Sequence, residues 1–257
     1  MKLRLFAATL PLLLTVPALA QQSAQGNIRT ITRYRLDGGN GGDFRAAIKE
    51  FNEVLRKAGG ERYYSMWSSA SGPTEMVRVD YYKTWAELDR GVDPKTKEVA
   101  GELRSIASRI TSKFNLAERV VDEILPQYSL PQSNDMPKMV RVLRTVIKPG
   151  QVAAYNAIIE KELMPAVKKS GLKVYMRSQT RFGGPSTEFR SVIPMNGWGD
   201  LDGDGPIVKA MGGRAEYDKF LAKIQAFQVE SEYNIYRFEK DLSYLPGASG
   251  APSGGGR

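Results

Sequence analysis

The feature that most constrains this chain is a pattern written twice. Thr74-Glu75-Met76 and Thr187-Glu188-Phe189 lie 113 residues apart, and at the same offset Val79 meets Val192, Trp85 meets Trp198, Leu88 meets Leu201 and Asp89 meets Asp202. Gly72-Pro73 meets Gly184-Pro185 at 112, and Arg62 and Tyr64 meet Lys173 and Tyr175 at 111. Further back, Phe44, Phe51, Leu55 and Ala58 meet Val152, Ile159, Leu163 and Ala166 at 108. The offset grows in small steps, as insertions in loops and helix ends would make it. Internal self-similarity of this kind sets the architecture before any motif does.

Each copy reads as strand, helix, strand, strand, helix, strand. In the first, the β-branched and aromatic run Ile28–Leu36 predicts a strand. Asp43 then predicts a helix cap, and Phe44, Ile48, Phe51, Leu55 and Ala58 follow at helical spacing. Residues 62–69 and 75–82 predict two strands around Ser71-Gly72-Pro73. Val99, Leu103, Ile106, Ile110 and Phe114 mark a second helix, and residues 118–125 the closing strand. The second copy predicts strands at 138–147, 173–182, 188–195 and 230–239. Its helices are marked by Val152 to Ala166 and by Tyr217, Phe220, Ile224 and Phe227. The repeats then span 28–125 and 138–246, with the Pro-rich 126–137 as linker.

The ends read differently. Lys2 and Arg4, the apolar run to Val16 and Ala18-Leu19-Ala20 form a secretory signal peptide, residues 1–20, with cleavage before Gln21. Residues 21–27 are a short extension, and 247–257, GASGAPSGGGR, a flexible tail. The expected location is the periplasm or outside the cell. No later apolar run is long enough to cross a membrane.

The sequence has 257 residues, no Cys and no His. That excludes thiolate nucleophiles, imidazole acid–base chemistry and Ser-His-Asp catalysis. The net charge of +9 falls to +7 once Lys2 and Arg4 leave, and both signs are interspersed. Such a surplus serves solubility, and no nucleic acid is expected as a partner.

A βαββαβ unit is ferredoxin-like, with helices on one face of a four-stranded sheet. Two units in one chain can cover each other's bare faces and leave the helices outside. In this order of elements, and in the Trp–acidic–Leu–Asp segment after each third strand, residues 28–245 resemble the dimeric α+β barrel superfamily. That superfamily includes antibiotic-biosynthesis-monooxygenase-like and NIPSNAP-like domains. The resemblance implies an α+β chain of two tandem ferredoxin-like repeats forming the barrel within itself. In its monooxygenase-like families a Trp near Trp85 and Trp198 lines the cavity. Its chlorite-dismutase-like branch carries haem on a His, which this chain lacks.

Candidate site residues come from strand alternation. Arg78, Asp80 and Tyr82 share one face opposite Val77, Val79 and Tyr81. Tyr175 and Arg177 alternate with Val174 and Met176, and Asn234 and Tyr236 with Tyr233 and Ile235. The polar, aromatic face suits a barrel lumen holding a small ligand, and equally a solvated face. Trp85 and Trp198 are read as cavity wall or as caps on the core. Asp200-Leu-Asp202-Gly-Asp204-Gly205-Pro-Ile207 matches the first eight positions of a calcium loop. Met211 stands where the bidentate Glu belongs, so Asp200, Asp202 and Asp204 are read as a helix-capping turn, and no cofactor is expected. Three functions remain open: a small-ligand binder, a cofactor-independent monooxygenase or isomerase, and a protein-interaction module. The partners left open are a small molecule and a second copy of the chain.

Overall fold

Eight strands, each with two faces to bury, need an arrangement that leaves no edge unpaired. The computed structural model, which describes residues 26–36, 40–89, 93–113, 115–131 and 136–245, shows how this chain does it. The expected signal peptide and tail lie outside the described residues. The first half runs β1 (Ile28–Arg35), α1 (Gly41–Lys57), β2 (Tyr64–Ser69), β3 (Glu75–Tyr82), α2 (Ala100–Lys113) and β4 (Asn115–Ile124). The second runs β5 (Met139–Ile147), α3 (Val152–Ile158), α4 (Met164–Lys169), β6 (Met176–Phe182), β7 (Glu188–Met195), α5 (Pro206–Ala210), α6 (Arg214–Gln225) and β8 (Gln228–Phe238).

The strands close into one barrel in the order β1-β3-β2-β8-β5-β7-β6-β4. Within each half the neighbours run β4-β1-β3-β2 and β8-β5-β7-β6, all antiparallel. Two seams join the halves. Trp67 pairs with Phe238 across β2–β8, and Asp122 with Thr180 across β4–β6. Closure removes every sheet edge, and eight strands leave an interior that side chains fill.

Three apolar clusters follow from this geometry. Phe44, Ile48, Tyr64, Met66 and Ile106 pack between helices and sheet in the first half. Tyr155, Ile159, Val167, Phe189 and Phe220 do so in the second. Ile31, Trp67, Val77, Val79, Val120 and Val140 fill the lumen.

The hairpin turns need glycine. Gly72 and Gly183 both have positive φ, 75° and 82°, the left-handed region that costs other residues. A Cβ at Gly183 would also stand 2.3 Å from the Arg119 carbonyl oxygen across the β4–β6 seam.

The helix from Val152 to Lys169 is not regular. Residues 159–163 form a π turn between α3 and α4. Pro165 accounts for it: it has no N–H to donate back and its ring crowds the carbonyl four residues earlier. Helix α5, with Pro206 at its start, is absent from the sequence reading, although Gly205-Pro206 is a start signal.

The segment expected as a linker is partly built into the fold. Leu125 N and Leu130 N donate to the carbonyls of Arg177 and Tyr175, each at 2.8 Å. The chain after β8 does the same on the other half: Glu239 N and Tyr244 N donate to Met66 O and Tyr64 O, each at 2.9 Å. Each half thus sends its exit segment onto the second strand of the other.

Candidate functional site

The lumen carries charge as well as valine. Asp122, fully buried on β4, accepts from Ser178 Oγ at 2.7 Å, Thr180 Oγ1 at 3.1 Å and Arg190 Nη1 at 2.8 Å, with Arg29 Nη2 at 3.3 Å. Burial pushes its carboxyl up, but Arg190, Arg29 and the two hydroxyls outweigh it and hold it below its ordinary value. Glu75 and Glu188 repeat one motif in the two halves. Glu75 is paired with Arg33 at 2.8 Å, and Glu188 with Arg144 at 2.6 Å and with Arg190. Beside these ions lies a cavity of only about 100 Å³, walled by valines such as Val77, Val79 and Val140 and by the arginines themselves. Glu118 pairs with Arg33 at 3.1 Å and Arg190 at 3.3 Å, so four carboxylates answer four arginines, and several of these pairs cross between strands.

The sequence candidates separate in space. Asn234 and Tyr236 line the lumen, and burial pushes the Tyr236 hydroxyl up to about 12. Arg78 and Asp80 do not: Val77, Val79 and Tyr81 face the lumen instead. The Arg78 guanidinium lies 3.8 Å from the Tyr64 ring centre, outside the barrel, and reaches Asp80 Oδ1 at 2.6 Å. Tyr82, half-buried, alternates onto that same outer face. The expectation that the polar face turns inward is thus reversed on β3, while on β8 Asn234 and Tyr236 do face the lumen. Helices cover the outside, so both faces of these strands are buried and a paired ion fits under a helix as well as in the lumen.

Trp85 and Trp198 cap no core. They open short 3₁₀ turns and are 40% and 48% exposed. Trp85 meets the exposed Phe182 edge-on, with ring centres 5.8 Å apart. Asp200 Oδ2 accepts from Asn196 N at 2.7 Å and Asp204 pairs with Arg214 at 2.9 Å. No group of three or more metal-ligating side chains occurs among the described residues.

Tyr175 and Arg177 face a different space, a cavity of about 610 Å³ between the outer face of the second-half sheet and its helices. Its apolar wall includes Ile159 and Leu163 from the π turn, Ile207 from α5 and Phe220 and Ile224 from α6. Its sheet floor presents Tyr175, Arg177 and Ser191. Tyr175 donates to Ser191 Oγ at 3.1 Å and Arg177 Nη1 donates to the same oxygen at 3.0 Å. Burial pushes the Tyr175 hydroxyl up, against the pull of Arg177, so it stays a neutral phenol near pH 7. Burial alone would depress Arg177, but the Tyr155 and Tyr175 hydroxyls more than offset it.

Arg177 is 2% exposed. Its guanidinium carbon lies 4.7 Å from the Phe189 ring centre and 5.1 Å from that of Tyr155. Its Nε and Nη2 have no hydrogen-bond acceptor. In the first half Leu242 and Tyr244, from the segment after β8, join the core. Sequence reading missed Tyr155, Ser191 and α5. The only local signal was Gly205-Pro206, because the cavity is assembled from elements far apart in the chain.

No protein-family model matches the chain, and no curated protein matches it in sequence. Solved structures do match in shape. A proposed monooxygenase from Fusobacterium nucleatum is 10% identical, with TM-score 0.56, over 85% of this chain and 94% of that one. An anthrone oxidase-like protein is 9% identical, with TM-score 0.55, over 84% and 92%. A variant chlorite dismutase from Candidatus Nitrospira defluvii, in complex with cyanide, is 10% identical, with TM-score 0.53, over 86% and 93%. The chlorite-dismutase-like branch carries haem on a His, a ligand this chain does not offer. The chain has no His or Cys, and burial keeps the Tyr175 hydroxyl protonated against Ser191. At these identities the likeness is one of architecture, and it is consistent across all three: the chain has the dimeric α+β barrel fold.

Proposed function

We propose that this protein is an exported small-molecule-binding protein built from two tandem ferredoxin-like repeats, with one ligand site in its second half. The carrying observation is a cavity of about 610 Å³ in the second half, with an apolar stretch of wall and convergent polar groups on its sheet floor. Export rests on residues 1–20, and the duplication on the shared strand order and the repeated Glu75 and Glu188.

The test is titration of the mature protein with a panel of flat aromatic and aliphatic compounds, beside an Ile207→Trp variant that fills the cavity. One equivalent bound per chain, lost in the variant, is expected. No binding across the panel overturns the reading. For export, the purified mature chain should begin at Gln21 and come from the exported fraction. A chain retaining Met1 in the cytoplasm would refute that part.

A second reading, a cofactor-independent monooxygenase or isomerase, is favoured by the names of the structural neighbours. It has less support in the cavity. Tyr175 is held protonated, and Asp200 and Asp204 on the rim are already engaged. Oxygen uptake with an anthrone substrate, abolished by Ile207→Trp, would establish it over binding alone.

A further inference from the structure

We propose that the second-half cavity takes a small monocarboxylate with an apolar body, and that Arg177 is the counter-charge holding its carboxylate. This rests on the reading of the cavity as a ligand site.

Three arginines are deeply buried, Arg29, Arg177 and Arg190. Arg29 is paired with Asp122, and Arg190 with Asp122, Glu188 and Glu118. Among the described residues no carboxylate comes within ion-pair distance of Arg177. A hydroxyl and two aromatic faces hold the guanidinium, but two of its donors stay unanswered and no carboxylate neutralises it, which leaves room for an anion from outside the chain.

The geometry of the vacancy in bonding is specific. Nε and Nη2, the two donors without acceptors, form one edge of the guanidinium, while Nη1 is bonded to Ser191. Two parallel N–H groups on one edge match the two oxygens of a carboxylate. One guanidinium edge answers one carboxylate group. Ile159, Leu163, Ile207, Phe220 and Ile224 offer an apolar body its contacts, while Lys173, Lys209, Arg214, Asp200, Asp202 and Asp204 also line the space. The first half carries its guanidinium on the neighbouring strand: Met66 stands where Arg177 does, and its register partner Arg78 is paired with Asp80, whereas Arg177 has no carboxylate partner among the described residues.

The experiment titrates the mature chain with 2-naphthoate and octanoate, each beside its neutral amide, in the wild type, Arg177→Met, Arg177→Lys and Ile207→Trp. The wild type should bind at least one acid about tenfold or more tighter than its amide, because the amide leaves the buried charge unanswered. Arg177→Met should bind acid and amide alike, and Arg177→Lys should keep part of the preference. Without ligand, Arg177→Met should melt higher than the wild type, which also shows that it folds. Equal affinity for acid and amide in the wild type, lost in Ile207→Trp, overturns the carboxylate assignment and leaves the ligand site standing. Binding of none of the four probes overturns the ligand site as well.

Discussion

Arg177 stands on β6 where Met66 stands on β2. The carbonyl of each accepts the amide of the residue leaving the other half's last strand, Leu125 for Arg177 and Glu239 for Met66. The side chains then diverge. Met66 lies in the filled first-half core, and Arg177 beneath the second-half cavity. The mirror substitution Met66→Arg would place a second guanidinium against Arg78, the register partner of Met66, while the one carboxylate beside it, Asp80, is already engaged by Arg78. Urea denaturation should show a loss of about 3 kcal/mol or more. Unchanged stability would show that the first half also has room for a ligand.

Asp122 sets the acid limit of the barrel. Its carboxyl is held below the ordinary value of 3.8 by Arg190 and Arg29, despite burial. A depressed folded pKa means that the charged form adds stability above the unfolded value, and that this is lost as pH falls through the folded one. Denaturation midpoints should therefore hold from pH 7 to about pH 5 and fall below about pH 4. Asp122→Asn should flatten part of that fall and remove about 3 kcal/mol at pH 7, because Arg29 and Arg190 lose their shared partner. An acid limb unchanged by the substitution would assign it to other carboxylates.

The two hairpin glycines should respond unequally to alanine. Both have positive φ, so each replacement carries about 1 kcal/mol of backbone strain. At Gly72 the nearest atom to the new methyl group is Asn234 Oδ1 at 3.4 Å, whereas at Gly183 it is the Arg119 carbonyl oxygen at 2.3 Å. Gly183→Ala must open the β4–β6 seam and should be the more damaging by at least about 1 kcal/mol. Equal melting temperatures for the two variants would contradict this account of the seam.

The segment after β8 completes the first half. Leu242 is fully buried, its carbonyl accepts from Asn52 Nδ2 at 3.0 Å, and Tyr244 donates to the Gly60 carbonyl at 2.7 Å. Leu242→Ala should cost about 3 kcal/mol. Calorimetry showing a loss under about 0.5 kcal/mol, the range of ordinary surface changes, would place this segment outside the core.

Much of the architecture was legible in the residues. The order of elements is the one that the internal similarity implied, and the hairpin strands 75–82 and 188–195 have the bounds their alternation and turn residues implied. Helices announced themselves through Phe44, Ile48 and Leu55, and through Leu103, Ile106 and Ile110. What alternation could not say is which face turns inward. It separates Val77 from Arg78, but a barrel wrapped in helices buries both, so hydrophobicity no longer marks the inside. The tertiary structure decided that valines line the lumen and that Arg78 stacks on Tyr64 outside it. It also decided that the exit segments cross between halves, and that the second half keeps a cavity over Arg177. Local sequence fixes the period of an element. Whether space remains between elements depends on side-chain volumes from distant parts of the chain, and only their packing together settles it.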